Sequence, residues 1–257
     1  MPYLKNFIET GKYLMEEIHK LNDKNDRIGY TGMGADGTLT SRLDDLCESV
    51  IIERINDLDL PFNIVSEETG FTDRNYDSNI VIDPLDGTYN AENQIPAYSI
   101  SIAIMDENFD SIQEGFVMNL PTSNYFWAEK GKGAFRNEVH LNNTTKLTGA
   151  SVVYSLEDDI IPDFLKTGIN RRRILGCASV EMSLLANGSL DFVAYLGPEK
   201  KLRNVDIAAG VILVRETGGI VLDENLHPLN MDLDVRKRKN MIALSAAHLE
   251  LSKGDIK

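Results

Sequence analysis

Apolar positions recur at helical spacing through residues 3–21, at Leu4, Phe7, Ile8, Leu14, Met15, Ile18 and Leu21, and predict an amphipathic helix. A second stripe, Leu43, Leu46, Val50, Ile51 and Ile55, predicts another over residues 41–58. Between them Gly29, Gly32, Gly34 and Gly37 interleave with Asp36, Thr38, Thr40 and Ser41, which predicts a mobile loop of the kind found over active sites. The period then shortens. Residues 63–66 read as a short strand ending in Glu67-Glu68, and the apolar run 79–82 as a buried strand entering Asp83-Pro84-Leu85-Asp86-Gly87-Thr88. Residues 98–106 and 112–118 fit two further strands, and Phe126 to Gly133 a hairpin.

Residues 1–148 thus read as a subdomain of helices on a largely antiparallel sheet. The remainder alternates differently: strand at 152–154, helix at 178–187 stopped by Gly188, strand at 191–196, helix at 206–217 ended by Gly218-Gly219, then strands at 220–222 and 241–244. That alternation predicts a smaller α/β layer over 149–257, giving an α+β protein whose halves share one cleft.

Composition narrows the functions open to such a fold. A hydrophobic content of 42% over 257 residues supports a real core, and a formal net charge of −14 argues against nucleic acid or an anionic membrane as a general partner. An anionic substrate stays open, because bound cations can reverse the sign of a site locally. The run Arg236-Lys237-Arg238-Lys239 predicts a solvated turn before the last strand. Neither Cys47 and Cys177 nor His19, His140, His227 and His248 have the spacing of a zinc site. Two unclustered thiols, with no signal-like or membrane-spanning stretch near the N-terminus, lead to the expectation of a soluble cytoplasmic protein.

The chemistry concentrates at element ends. Asp83 and Asp86 lie three apart where a strand stops, with Pro84 stiffening the link and Gly87 freeing a tight turn. Oxygen donors so placed suit hard divalent cations, although Asp, Pro and Gly also simply make turns. Glu67 and Glu68 end one strand, and Asp206 opens a long apolar helix, where its bland role is an N-cap. A covalent aspartyl-phosphate chemistry of the haloacid-dehalogenase type needs Asp-x-Asp-Gly-Thr. Here the spacing at 83–88 is one too long, and Gly34 stands at the nucleophile's place in Gly34-Ala35-Asp36-Gly37-Thr38.

Taken in order, Glu67-Glu68, Asp83-Pro84-Leu85-Asp86-Gly87-Thr88, and Val205-Asp206-Ile207-Ala208-Ala209-Gly210 followed by Glu216-Thr217-Gly218-Gly219 resemble the inositol monophosphatase family. The resemblance is greatest to archaeal members that also act as fructose-1,6-bisphosphatases. It extends to Gly34–Thr38 and to Glu129-Lys130-Gly131-Lys132-Gly133-Ala134, while Leu39, Ala91 and Val205 depart from the proline, aromatic and tryptophan common in relatives. It implies the layered α-β-α-β-α sugar-phosphatase fold and a homodimer. It implies a Mg²⁺ ion on Glu67, Asp83 and the Leu85 carbonyl, and a second on Asp83, Asp86 and Asp206. A weaker third would lie near Glu67 and Asp36, and Mn²⁺ would be a possible substitute. Asp44 with Thr88 would orient the attacking water, Glu68 would support the ligands, and Gly87 and Thr88 would cradle phosphate.

For substrate, the resemblance places Gly176, Cys177 and Ala178 on the alcohol side of the pocket. Tyr195 falls where inositol-specific relatives carry a glutamate. Lys201, Arg203 and Arg173 are candidates for a second phosphate, as in fructose 1,6-bisphosphate. Adenosine 3′,5′-bisphosphate, NADP, and a purely metal-dependent binding role are the alternatives.

Overall fold

The computed structural model describes residues 1–21, 24–142, 146–155, 161–166 and 170–252. Its helices are α1 (Leu4–Lys20), α2 (Lys24–Arg27), α3 (Arg42–Asp57), α4 (Thr88–Glu92), α5 (Asp163–Lys166), α6 (Ala178–Ala186), α7 (Asn204–Glu216) and α8 (Ala246–Ser252). The strands of the first half are β1 (Tyr30–Met33), β2 (Leu39–Ser41), β3 (Asn63–Ser66), β4 (Gly70–Thr72), β5 (Asn79–Asp86), β6 (Ser99–Met105), β7 (Glu114–Asn119), β8 (Asn124–Glu129), β9 (Gly133–Arg136) and β10 (Val139–His140). Those of the second are β11 (Ala150–Tyr154), β12 (Arg171–Arg173), β13 (Phe192–Tyr195), β14 (Ile220–Leu222) and β15 (Met241–Leu244).

An eight-stranded sheet runs β10-β9-β8-β7-β6-β5-β3-β4 and is antiparallel except where β3 pairs with β5. A five-stranded sheet runs β12-β11-β13-β15-β14, parallel on the β12 side and antiparallel on the β14 side. The side-chain period of two sorts the core into layers. Ile80 and Ile82 of β5, Ile100, Ile102 and Ile104 of β6, and Phe116 and Met118 of β7 pack with Leu14 of α1 and Ile51 of α3. The intervening Val81, Ala103 and Val117 face the other way, into a core shared with α6, α7 and Val193 and Ala243 of the small sheet. Phe192, Ala194, Ile242 and Leu244 then turn outward to Leu165 of α5 and Leu249 of α8. Helices, sheet, helices, sheet, helices is the layering expected from the resemblance.

The middle layer controls the site, because α7 lies against the large sheet. Gly115 of β7 makes that approach possible: a Cβ there would stand 2.9 Å from the Ala209 carbonyl oxygen and 2.5 Å from the Ile212 side chain. Gly115→Ala therefore pushes α7 off the sheet. Overpacking of this kind costs about 1–3 kcal/mol. The expected result in a denaturant melt is a loss in that range, with Asp206 displaced because it rides on α7.

One expectation fails. The glycine-rich stretch is not a plain loop: Tyr30–Met33 and Leu39–Ser41 pair as an antiparallel two-stranded ribbon. All four residues of β1 are exposed, so no alternation of apolar and polar residues signalled it. The α3 helix that follows is started by a capping box. The Ser41 Oγ accepts from the Asp44 N–H at 3.1 Å, and Asp44 Oδ2 accepts from the Ser41 N–H at 3.3 Å. No helix among the described residues is long and apolar enough to cross a membrane.

Candidate functional site

A β-bulge builds the centre of the site. Asp83 pairs with Ser101 and Asp86 with Ser99, so three steps along β5 match two along β6. Val81 and Asp83 share the face toward α6 and α7. The extra residue reverses the alternation, so Leu85 joins the opposite core while Asp86 faces α6. Without it one of the two aspartates would point into the α1–α3 layer. Asp86 Oδ2 accepts from the Ser179 N–H at 2.7 Å and the Ser179 hydroxyl at 2.6 Å. The turn closes at Gly87 with φ of 88°, and α4 starts at Thr88.

Glu67 comes from the end of β3 and Asp206 from the first turn of α7. Asp206 is not the N-cap. That position belongs to Arg203, whose backbone N–H donates to Asp206 Oδ2 at 2.6 Å, so Asp206 closes the cap from the N3 position. The helix begins two residues earlier than its apolar pattern indicated, because Asn204 and Val205 form its first turn.

Arg203 departs furthest from expectation. Its guanidinium turns into the acidic cluster instead of toward a second phosphate. It donates to Asp206 Oδ1 from Nε at 2.9 Å and Nη2 at 2.6 Å, to Asp36 Oδ2 from Nη1 at 2.7 Å, and to Glu67 Oε1 from the same Nη1. Arg238 adds a second guanidinium, donating to Asp36 Oδ2 at 2.9 Å. The other oxygen of Asp36 accepts from the N–H and hydroxyl of Thr38 at 2.8 and 2.7 Å. Asp36 is thus saturated by protein donors. Among the described residues no three His, Cys, Asp or Glu side chains converge at metal-binding spacing, since the carboxylates gather around a guanidinium.

The donor set nevertheless fits a hard divalent cation. Glu67, Asp83 and Asp206 are buried and Asp86 is half-buried, and Asp83 Oδ2 has no hydrogen-bond partner among the described residues. An orphaned buried carboxylate oxygen is costly unless something positive reaches it. Burial, then repulsion from Glu67, Asp86 and Asp206, pushes the Asp83 carboxyl well above the usual range, with Arg203 opposing. Burial lifts Glu67 to about 8 against the pull of Arg203, with repulsion from Asp206 adding to the rise. Asp86 is also raised, by burial and then Asp206, against the bonds from Ser179. Arg203 therefore leaves this set of carboxylates short of positive charge. Asp36 behaves oppositely: burial works against its ionisation, but the Thr38 bonds and the two arginines outweigh it and hold it low.

Beside these oxygens the Thr88 hydroxyl donates to Asp44 Oδ1 at 2.8 Å and lies 3.1 Å from the Leu85 carbonyl oxygen. Burial raises the Asp44 carboxyl despite the bonds from Thr88 and Ser41, which makes it the more ready to take a proton. Glu68 accepts from the Thr40 hydroxyl of β2, and burial lifts it to about 7.

Of Gly176, Cys177 and Ala178, the first two lie against the aspartate turn. A Cβ on Gly87 would stand 3.2 Å from the Cys177 Cβ and 3.3 Å from the Gly176 carbonyl oxygen. The Cys177 thiol lies 3.3 Å from Asp86 Oδ2, and burial pushes its pKa far up. Tyr195 is buried and its hydroxyl donates to Glu181. Lys201 is ion-paired with Glu199 at 3.0 Å. Arg173 lies on the exposed edge strand β12 and donates to the Arg172 carbonyl at 2.8 Å, so neither is brought to the cluster.

Sequence reasoning missed Arg238, which belongs to the basic run read as a solvated turn; Arg236 and Lys237 do fit that reading, paired with Asp234 and Asp232. It also missed Ser179, and Asn90, whose amide donates to the carbonyls of Ala97 and Leu175 at 2.7 Å and so ties α4 to the loop before α6. None of the three carries a spacing signal of its own.

Carboxylates gathered beside a strand-to-helix turn, inside two α/β layers, mark a candidate phosphatase site. Comparison with known proteins makes this specific. The model of the inositol monophosphatase family matches residues 4–252, and the chain belongs to that family. A fructose-1,6-bisphosphatase/inositol-1-monophosphatase of Methanothermobacter thermautotrophicus is 34% identical over 85% of this chain and 82% of its own. A bifunctional NADP phosphatase/NAD kinase of Methanococcus maripaludis is 36% identical over 82% of this chain, which spans only 41% of that relative. The solved structure of an inositol monophosphatase–fructose 1,6-bisphosphatase superposes with a TM-score of 0.81 at 30% identity, covering 97% of this chain and 98% of the other. The chain is accordingly a phosphoric monoester hydrolase.

Proposed function

We propose that the chain hydrolyses sugar phosphates with divalent-cation assistance, releasing phosphate from fructose 1,6-bisphosphate and from inositol 1-phosphate without a phosphoenzyme. The observation that carries this reading is the positive-charge-deficient set of oxygens centred on the buried Asp83, whose Oδ2 lacks a partner among the described residues. Glu67, Asp83, Asp86, Asp206 and the Leu85 carbonyl would hold Mg²⁺ or Mn²⁺. When bound, the ions acidify water and neutralise charge on the phosphoryl and leaving oxygens. Asp36, saturated by Thr38, Arg203 and Arg238, is a poorer ligand than the others.

The chain's own groups supply positioning and proton handling. The Thr88 hydroxyl, passing its hydrogen to Asp44 Oδ1, can accept one from an attacking water at Oγ1. The backbone N–H groups of Gly87 and Thr88 cradle the phosphate as α4 begins. Gly176 and Cys177 limit the space on the alcohol side. The division into subdomains at residues 148/149 leaves most of the ligands on the first and Asp206 on the second. Action as a homodimer in the cytoplasm completes the proposal.

A second reading, NADP as substrate, is favoured by the similarity to the NADP phosphatase/NAD kinase. A phosphate-release panel with Mg²⁺ tests both, using fructose 1,6-bisphosphate, inositol 1-phosphate, NADP and adenosine 3′,5′-bisphosphate. The expected result is turnover of the first two at higher kcat/KM than the nucleotides. Preference for NADP replaces the sugar-phosphate reading, and no release from any of them favours a binding role.

A further inference from the structure

We propose that Arg203 is a tethered cation that competes with divalent ions for the carboxylate cluster and so sets the ion concentration at which the site assembles. This rests on the cation-dependent reading above. The side chain is only 14% exposed and makes four contacts with three carboxylates, from the turn after β1 (Asp36), the end of β3 (Glu67) and the first turn of α7 (Asp206). A guanidinium carries its charge at any working pH and spreads it over five donors, so it can bridge carboxylates that would otherwise repel each other. Two of the oxygens it holds, Glu67 Oε1 and Asp206 Oδ1, belong to residues expected to ligate ions. A divalent ion bound at about 2.1 Å to those oxygens would sit against a like charge bonded to the same atoms. The guanidinium and the ion therefore exclude each other.

The plug is held at both ends. Its backbone N–H is fixed on Asp206 Oδ2 by the helix cap, and its tip meets Asp36, which Arg238 and Thr38 immobilise. Asp36 sits in the turn of the β1–β2 ribbon, and the neighbouring Ala35 N–H donates to the Glu68 carbonyl at 2.8 Å. Arg203 thus ties that ribbon to α7 across the site, and ion binding would release the tie. Its backbone anchor on Asp206 Oδ2 does not depend on where the guanidinium sits.

Competition lowers apparent affinity by the fraction of protein in the open state. A plug seated about nine-tenths of the time weakens ion binding about tenfold. The test titrates chelator-treated full-length protein with Mn²⁺ by calorimetry and follows its Tm with and without the ion, for wild type, Arg203→Gln and Arg203→Lys. The expected result is Mn²⁺ affinity about tenfold tighter in Arg203→Gln, a lower Tm for its ion-free form, and a larger Tm rise on adding Mn²⁺. Arg203→Lys, which keeps a charge but loses the fork, should lie between. If Arg203→Gln does not fold, tighter binding by Arg203→Lys supports the proposal and equal or weaker binding overturns it. Wild-type binding with unchanged or weaker binding in the Gln variant overturns competition alone. Failure of wild type and variants alike to bind Mn²⁺ overturns it together with the cation-dependent reading.

Discussion

Asp83→Asn should lower phosphate release by about a hundred- to a thousandfold, the scale on which one electrostatic group at a reacting centre is felt, while leaving the ion-free protein at least as stable as wild type. The two readouts separate because Asp83 has opposite values in the two states. Without ions, its carboxyl is wholly buried, has an unpartnered oxygen, and is driven toward the neutral form by burial and by Glu67, Asp86 and Asp206. Asparagine has nearly the same shape and no charge, so it relieves the repulsion. The bond to the Asp83 carboxyl from the Leu85 N–H, to Oδ1 at 3.1 Å, can be kept by the amide oxygen. With ions present the charge is what the cluster needs. Calorimetric Mn²⁺ binding, a thermal melt in chelator and a phosphate-release assay would check the three parts. A variant that loses stability in chelator and activity in proportion would show Asp83 to be merely structural.

Gly87→Ala is expected to damage both fold and chemistry. The residue has φ of 88°, a conformation that a side chain disfavours by about 1–2 kcal/mol. Its Cβ would also stand 2.9 Å from the Ala97 carbonyl oxygen and 3.2 Å from the Cys177 Cβ. Neither neighbour can yield easily. The Ala97 carbonyl is held by the Asn90 amide at 2.7 Å, and Cys177 is buried against Asp86. The turn must therefore shift, moving Asp86 and Thr88 with it. Unfolding should cost about 1–3 kcal/mol less than in wild type. Because a displacement of about 1 Å can cost a hundredfold in rate, kcat should fall by roughly that factor. Full activity at unchanged Tm would remove Gly87 and Thr88 from the phosphate site.

How much of this was legible beforehand depended on the range of the interaction. The layers followed from continuous apolar runs such as Ile80-Val81-Ile82, which mark a strand buried on both faces, and from period-3.6 helices with one apolar stripe. The acidic ligand candidates were legible because each sits where an element ends. Long side chains were not. Arg203 looked like part of a basic surface segment, and nothing in its spacing revealed that three separate elements would converge on its tip. Arg238 was hidden inside a basic run whose neighbours do pair with Asp232 and Asp234 on the exposed turn. Tyr195 is bonded to Glu181 from another element, a pairing that only the packing of α6 on β13 sets up. The bulge at Pro84-Leu85 was invisible too, although it is what lets two aspartates three apart share one side of the sheet.

The most direct measurement is phosphate release from fructose 1,6-bisphosphate by chelator-treated protein before and after Mg²⁺ is restored, run beside Asp83→Asn. The expected result is no turnover without ions, recovery on adding Mg²⁺, and no recovery in the variant. Turnover that persists in chelator, or Asp83→Asn protein that responds to Mg²⁺ like wild type, would contradict a cation-dependent site centred on Asp83.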